Sequence, residues 1–264
     1  MPHDAPRAPR TGPVAPPVAP HNAPHNAHDE RLIVMAKRPA LGRAKTRLAR
    51  DVGPERALQL AQAFLVDTLG KVAALVHTRP TVRAQIAYAP EDAGRWFEAQ
   101  APWAEHTPQS DGDLGHRMEA ALAAAFADGA ARCVVIGTDA PHLAADTLAA
   151  AFDALRGADV CLGPARDGGY YLIGLTAPQP TLFRGVPWST DTVLEITLRR
   201  AAAAALRARL LPVESDIDDG ADLARLAALL GQRPTLAPAT DTALRAETPS
   251  GGDGGPPSRA PSPP

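Results

Sequence analysis

Residues 37–47 read KRPALGRAKTR and set five cations on one short stretch: Lys37, Arg38, Arg43, Lys45 and Arg47. Pro39 and Gly42 interrupt both strand and helix periodicity, so these side chains ride on a loop. Just before it, residues 31–36 read RLIVMA, an apolar run without polar alternation, as expected of a strand buried on both faces. Cations crowded at the end of a buried strand repel one another unless an anion lies among them, and open α/β sheets bind ligands beyond the carboxyl ends of their strands. The predicted chemistry is a grip on phosphate; the plain alternative is a solvated basic loop. The loop is not a P-loop, because Arg43 and Ala44 separate Gly42 from Lys45 and no leading glycine precedes it. No G-x-G-x-x-G occurs either. On an extended segment Lys45 and Arg47, two apart, would face the same way.

Two acidic segments supply the opposite sign. GTDAPHL, residues 137–143, follows the apolar run RCVVI and puts Asp139 at a strand tip, where a carboxylate can hold a hard cation against phosphate or simply satisfy turn N–H groups. ESDIDDGADL, residues 214–223, carries Asp216 and Asp218, which share a side of an extended segment or flank a turn. By themselves they read as an acidic helix cap. Paired with Asp139 they would complete an oxygen-rich site for Mg²⁺ or Mn²⁺. His142 reads as structural.

Three more loops have site-like composition. Residues 109–118, QSDGDLGHRM, place Gly112 and Gly115 around Asp113; residues 164–174, PARDGGYYLIG, contain a Gly168-Gly169 turn; residues 186–192, VPWSTDT, hold Trp188 and Asp191. Trp188 could stack on a substrate, although packing is the more ordinary role for tryptophan.

The elements that must carry these loops alternate. After the strand at 31–36, Leu58, Ala61, Leu65, Leu69, Val72 and Val76 mark one long amphipathic helix, with Pro54 and Glu55 in its first turn. A strand at 82–88 precedes a short helix near 92–100, and a helix at 114–127 is capped by Asp113. A strand at 132–137 and a helix at 144–155 lead to strands at 159–163 and 170–175, the one locally antiparallel pair. Thr192 and Glu195 stand at capping-box spacing for a helix over 192–207, followed by a strand at 210–214 and a last helix at 222–230. This order predicts a single α/β domain with a mostly parallel sheet between two helical layers.

Composition bounds the rest. Residues 1–30 and 232–264 each hold eight prolines and few large apolar side chains, so both are expected to be disordered tails around a domain at 31–231. The net charge of −2 gives no global pull toward nucleic acid or membrane. No stretch approaches the roughly 20 apolar residues of a membrane span, and no secretion signal is evident. Cys133 and Cys161 lie in apolar runs and read as reduced core thiols of a cytoplasmic protein.

Taken in order, AKRPALGRAKTRL, QSDGDLGHRM, GTDAPHL, GPARDGGYYLIGL, PWSTDT and DIDDGADL resemble a bacterial family of small GT-A-fold (Rossmann-like) glycosyltransferases. These are the arsenosugar-biosynthesis or radical-SAM/selenodomain-associated transferase 1 group, within the nucleotide-diphospho-sugar transferases. The chain is more distantly similar to molybdenum cofactor guanylyltransferase and 2-phospho-L-lactate guanylyltransferase. The resemblance implies that Ala36, Lys37, Pro39, Gly42, Arg43, Lys45 and Arg47 bind the nucleotide and its phosphates, with Asp113, Gly115 and Arg117 near the base. It implies metal binding by Asp139 and by a second aspartate, Asp216 or Asp218, with Asp218 favoured. The family's D-x-D-T-P-E-D-L here reads D-I-D-D-G-A-D-L. Asp167, Gly168, Gly169, Tyr170, Trp188 and Asp191 would face the acceptor.

The expected activity is therefore Mg²⁺-dependent transfer of a sugar from a nucleotide sugar to a small-molecule acceptor. Asp139 would hold the metal, and Lys45 would stabilise the leaving phosphate. The alternative is nucleotidyl transfer from an NTP to a small metabolite, which the cation density suits. A non-catalytic nucleotide-binding module is a third reading. Nucleic acid is not expected, since the basic loop is short and lacks interleaved aromatics.

Overall fold

A computed structural model of the chain describes residues 30–246. Its strands are β1 (Glu30–Lys37), β2 (Val82–Ala89), β3 (Glu105–Pro108), β4 (Arg132–Ile136), β5 (Val160–Pro164), β6 (Tyr170–Leu175) and β7 (Ala208–Leu210). Helices α1 (Leu48–Val52) and α2 (Pro54–Thr78) follow β1, α3 (Gly94–Gln100) follows β2, α4 (Leu114–Ala127) follows β3, and α5 (Ala145–Ala154) follows β4. Then α6 (Val193–Ala203) follows β6, and α7 (Gly220–Gln232) and α8 (Pro238–Arg245) follow β7. The strands form one sheet in the order β3-β2-β1-β4-β6-β5-β7. Only β6 runs antiparallel to its neighbours, through the turn that joins it to β5. The mostly parallel α/β fold expected from the sequence is the fold of the protein.

The lack of polar alternation in β1 follows from its central place. Val34 pairs with Ile86 of β2 on one side and Ile136 of β4 on the other. Leu32, Val34 and Ala36 pack into a core with Leu65, Leu69 and Val72 of α2 and Phe152 of α5. Ile33 points the other way, to Met118 and Leu122 of α4 and Ala201 of α6. Each of these large side chains, fully buried, is worth roughly 1.5–3 kcal/mol. That anchors the strand whose carboxyl end begins the basic loop. The cysteines are free and buried, and burial pushes Cys133 up to about 12 and Cys161 up to about 11, so both are inert thiols.

Several expectations need correction. The domain does not end at residue 231, because α8 docks on α2 from within the supposed C-terminal tail. Asp67 of α2, 4% exposed, accepts from the Ala239 and Thr240 amides at 2.9 and 2.8 Å and from the Thr240 hydroxyl at 2.6 Å. A short helix of weak intrinsic stability is thus held by tertiary capping that composition does not reveal. The remaining tail expectations, residues 1–29 and 247–264, lie outside the described residues. Helix α2 is long and apolar enough by composition to cross a membrane, contrary to expectation; half of its apolar window is buried within the fold. Strand β3 was missed because it is a four-residue edge strand of mostly polar residues, EHTP. Thr192 makes no side-chain cap and lies in helical conformation; the capping box is instead Asp219 with Asp222, at the start of α7. The last strand covers 208–210, not 210–214, and Glu214 makes only an isolated bridge to Ala165.

Candidate active site

The basic loop turns back over the end of β1. The Arg38 amide donates to the Ala89 carbonyl at 2.7 Å, Gly42 takes a positive φ of 71°, and the Ala44 amide donates to the Ala40 carbonyl at 3.0 Å. These contacts coil the loop, and Lys45 itself lies in the left-handed region with φ 45°. Lys37 and Arg43 are exposed, whereas the Lys45 side chain is only 9% exposed. Its ammonium lies 5.9 Å from the centre of the Phe64 ring on α2.

At its tip Lys45 joins the two acidic segments. Nζ is 2.7 Å from Asp139 Oδ1 and 3.2 Å from Asp218 Oδ1, and Arg47 Nη1 is 4.0 Å from Asp218 Oδ2. Burial works to lower the Lys45 pKa, but Asp139 and Asp218 outweigh it and hold the ammonium above its ordinary value. Among the described residues Lys37, Arg38 and Arg43 make no ion pair, so the loop keeps unspent positive charge beside this cluster.

Backbone contacts fix the two aspartate segments to each other. The Ile217 amide donates to the Asp139 carbonyl at 3.0 Å, and Lys71 Nζ donates to the Pro141 carbonyl. His142, 7% exposed, contacts Glu214 at 3.3 Å, which agrees with its structural reading. Ile217 is buried against Leu48, Phe64 and Leu226, so Asp216 and Asp218 on either side of it turn together toward the loop. The Asp218 amide donates to Asp222 Oδ2 at 2.9 Å, which seats this segment on the first turn of α7. Asp216 is half-buried. Burial and the neighbouring Asp139 push its carboxyl up to about 7 against the pull of Lys45, with Asp218 and Asp167 adding to the rise.

No group of three or more His, Cys, Asp or Glu among the described residues forms a ready metal cage. The expected three-carboxylate set is therefore not a closed site. Asp139 and Asp218 nevertheless already share one cation, the Lys45 ammonium, and both carboxylates are partly exposed, at 51% and 39%. Two carboxylates open to solvent suit a hard divalent ion that takes its remaining oxygens from phosphate and water.

The other predicted residues fall into two groups. Of the residues expected to bind the nucleotide, Ala36 is buried and its carbonyl accepts from Gln109 Nε2 at 3.2 Å; Pro39 is half-buried in the loop. Asp113 caps α4 by accepting from the His116 amide at 2.8 Å, and Arg117 Nε donates to the Gly112 carbonyl at 3.0 Å. Gly115 lies under Trp188, where a Cβ would come within 2.4 Å of the indole. Three of these residues thus shape the loop itself. Gln109 was missed: its side chain ties the ends of β1 and β2 through the Ala36 and Ala87 carbonyls, and it follows the strand that went unrecognised.

Of the residues expected to face an acceptor, Asp167 accepts at Oδ1 from the Gly169 amide at 2.9 Å. Gly168 has φ 87° and touches the backbone of Asp191, so the 164–174 turn and the 186–192 loop form one wall. Tyr170 and Trp188 meet edge to face at 6.3 Å, and both partly buried rings pack against the core. Burial raises the Tyr170 hydroxyl pKa.

The sequence family of uncharacterized proteins conserved in bacteria termed DUF2064 matches residues 72–190. A solved structure of a candidate nucleotide-diphospho-sugar transferase from Desulfovibrio desulfuricans G20 is 31% identical, with a TM-score of 0.74; the match covers 82% of this chain and 96% of that one. The 4-diphosphocytidyl-2C-methyl-D-erythritol synthase of Anaerococcus prevotii DSM 20548 is 11% identical at a TM-score of 0.50 and covers 78% and 100%, a likeness of fold alone. No curated protein matches the chain.

Proposed function

The chain belongs to the nucleotide-diphospho-sugar transferase superfamily, and from that premise we propose a metal-assisted transferase that moves a sugar from a nucleotide sugar to a small-molecule acceptor. One observation carries the reading: Lys45, Asp139 and Asp218 converge beyond the carboxyl ends of β1 and β4, with Lys37, Arg38 and Arg43 of the same loop making no ion pair among the described residues. That is where an open α/β sheet binds a ligand.

In this reading Lys37, Arg43 and Arg47 receive the phosphates, and Lys45 offsets charge as it grows on the leaving nucleotide. Asp139 and Asp218 would hold Mg²⁺ or Mn²⁺, which supplies further positive charge against the diphosphate oxygens. Asp218 is preferred to Asp216 because it reaches the shared cation. Asp113 and Arg117 keep the loop under the base in shape, and the wall from Asp167 to Asp191 bounds the acceptor.

A second reading, nucleotidyl transfer from an NTP, is favoured by one feature: Lys37, Arg38 and Arg43 all remain free to meet a longer phosphate chain. Thermal shift with UDP-, GDP- and CDP-sugars and with NTPs, each with and without Mg²⁺, separates the two. Stabilisation by a nucleotide sugar and by no NTP is expected; the reverse outcome replaces sugar transfer with nucleotidyl transfer. Metal-dependent stabilisation that survived Asp139→Ala would reject the metal assignment.

A further inference from the structure

We infer that Lys45 is a built-in counter-cation occupying the position between Asp139 and Asp218, so that a divalent metal enters this chain together with a nucleotide and binds poorly alone. The inference rests on the metal reading above and adds an order of events to it. Lys45 Nζ lies within hydrogen-bond reach of one oxygen from each carboxylate, at 2.7 and 3.2 Å. Those oxygens are the ones a cation bridging the two segments would use. An ammonium and a divalent ion cannot share them without strong like-charge repulsion.

The rest of the loop supports a deliberate placement. Lys37 and Arg43 extend into solvent, while Lys45 is drawn inward over Phe64 to a side-chain exposure of 9%. Its backbone adopts φ 45°, a conformation unfavourable for a side-chain-bearing residue, and the Lys45 carbonyl is held by the Ala49 amide at 2.8 Å as α1 begins. Phosphate oxygens offer the ammonium a second set of partners. Once it moves to them, Asp139 and Asp218 lose the cation they share, and only Arg47, 4.0 Å from Asp218, stays paired with either. Nucleotide and metal then favour each other's binding, and the coupling is the same in both directions.

Mn²⁺ binding to the full chain in the absence of nucleotide, followed by electron paramagnetic resonance, tests this directly. Lys45→Met should bind Mn²⁺ about tenfold or more tightly than the unmodified protein, despite loss of a residue placed in the machinery. Lys45→Gln, which keeps a polar head, should shift in the same direction and guards against misfolding of the first variant. Adding Asp139→Asn to Lys45→Met should erase the gain. Unchanged or weaker Mn²⁺ affinity in both Lys45 variants overturns the inference while leaving the metal reading intact. If Mn²⁺ binding is indifferent to Asp139→Asn, in the unmodified protein as well as in the Lys45 variants, the metal reading falls and this inference falls with it.

Discussion

The two ends of β1 each carry a cluster of charged side chains, and the clusters are built on opposite plans. At the amino end, Glu30 is 2% exposed and its two oxygens are taken by Arg79 at 2.6 and 2.8 Å and by Thr81 at 2.9 Å, with Arg132 at 3.6 Å. At the carboxyl end, one buried lysine faces carboxylates that remain 51% and 39% exposed, with Asp216 beside them. In the first cluster both oxygens of the buried carboxylate are taken; in the second the carboxylates stay open to solvent. Burial plus saturation marks a structural brace. Burial of one partner with exposure of the others marks a place prepared for a ligand.

The largest expected effect lies at the closed end. Glu30→Ala leaves Arg132 and one edge of Arg79, which keeps Asp153, next to a buried vacancy and should cost about 3–5 kcal/mol in urea unfolding, since removing one partner leaves charge poorly compensated. Asp139→Asn at the open end should do the reverse. Its unfolding free energy should change by less than about 1 kcal/mol, while turnover with the best donor falls roughly a hundredfold or more. If the two variants behaved alike, the contrast between brace and site would be lost.

Gly168→Ala probes the wall beside the open end. Its φ of 87° disfavours a side chain, and the added Cβ would lie 2.0 Å from the Asp191 carbonyl oxygen. A loss of about 2 kcal/mol is expected by the same urea assay, with the 186–192 loop displaced. A further probe is Lys71, which props the Asp139 loop through Pro141. Burial lowers its pKa from 10.5 to about 8, with Asp67 opposing. Between those values the unfolded chain binds more protons, so stability should rise as pH climbs from about 8 toward 10.5. Lys71→Met should flatten that rise in pH-dependent thermal melts.

The open end was more legible in the sequence than its surroundings. The basic loop and Asp139 stood out because charge at the tip of an apolar run is unusual. Asp216 and Asp218 read by themselves only as a helix cap, left either sharing a side or flanking a turn, and Asp218 was singled out through the family resemblance. That Lys45 bridges both segments was not legible, since it depends on coiling of the loop around Gly42. Helix α4 and its Asp113 cap were read correctly because the signal is local. Strand β3 was not, for its four residues gain their order from pairing with β2. The docking of α8 escaped notice because its anchor, Asp67, lies about 170 residues earlier in the chain. Trp188 was legible only as a choice between stacking and packing; in the structure Gly115 lies against its indole.

Helix α2 has a consequence for how the molecule can evolve. Its Leu60 and Phe64 belong to a small third core with Ile217 and Leu226, on which Ala243 and Leu244 also pack, so the segment bearing Asp216 and Asp218 floats on the same apolar raft as α8. Substitutions on that raft, in residues that touch no ligand, can tilt the two aspartates relative to the basic loop. Drift in α7 and α8 is therefore a route by which the geometry of the candidate site is retuned without altering a single residue of it.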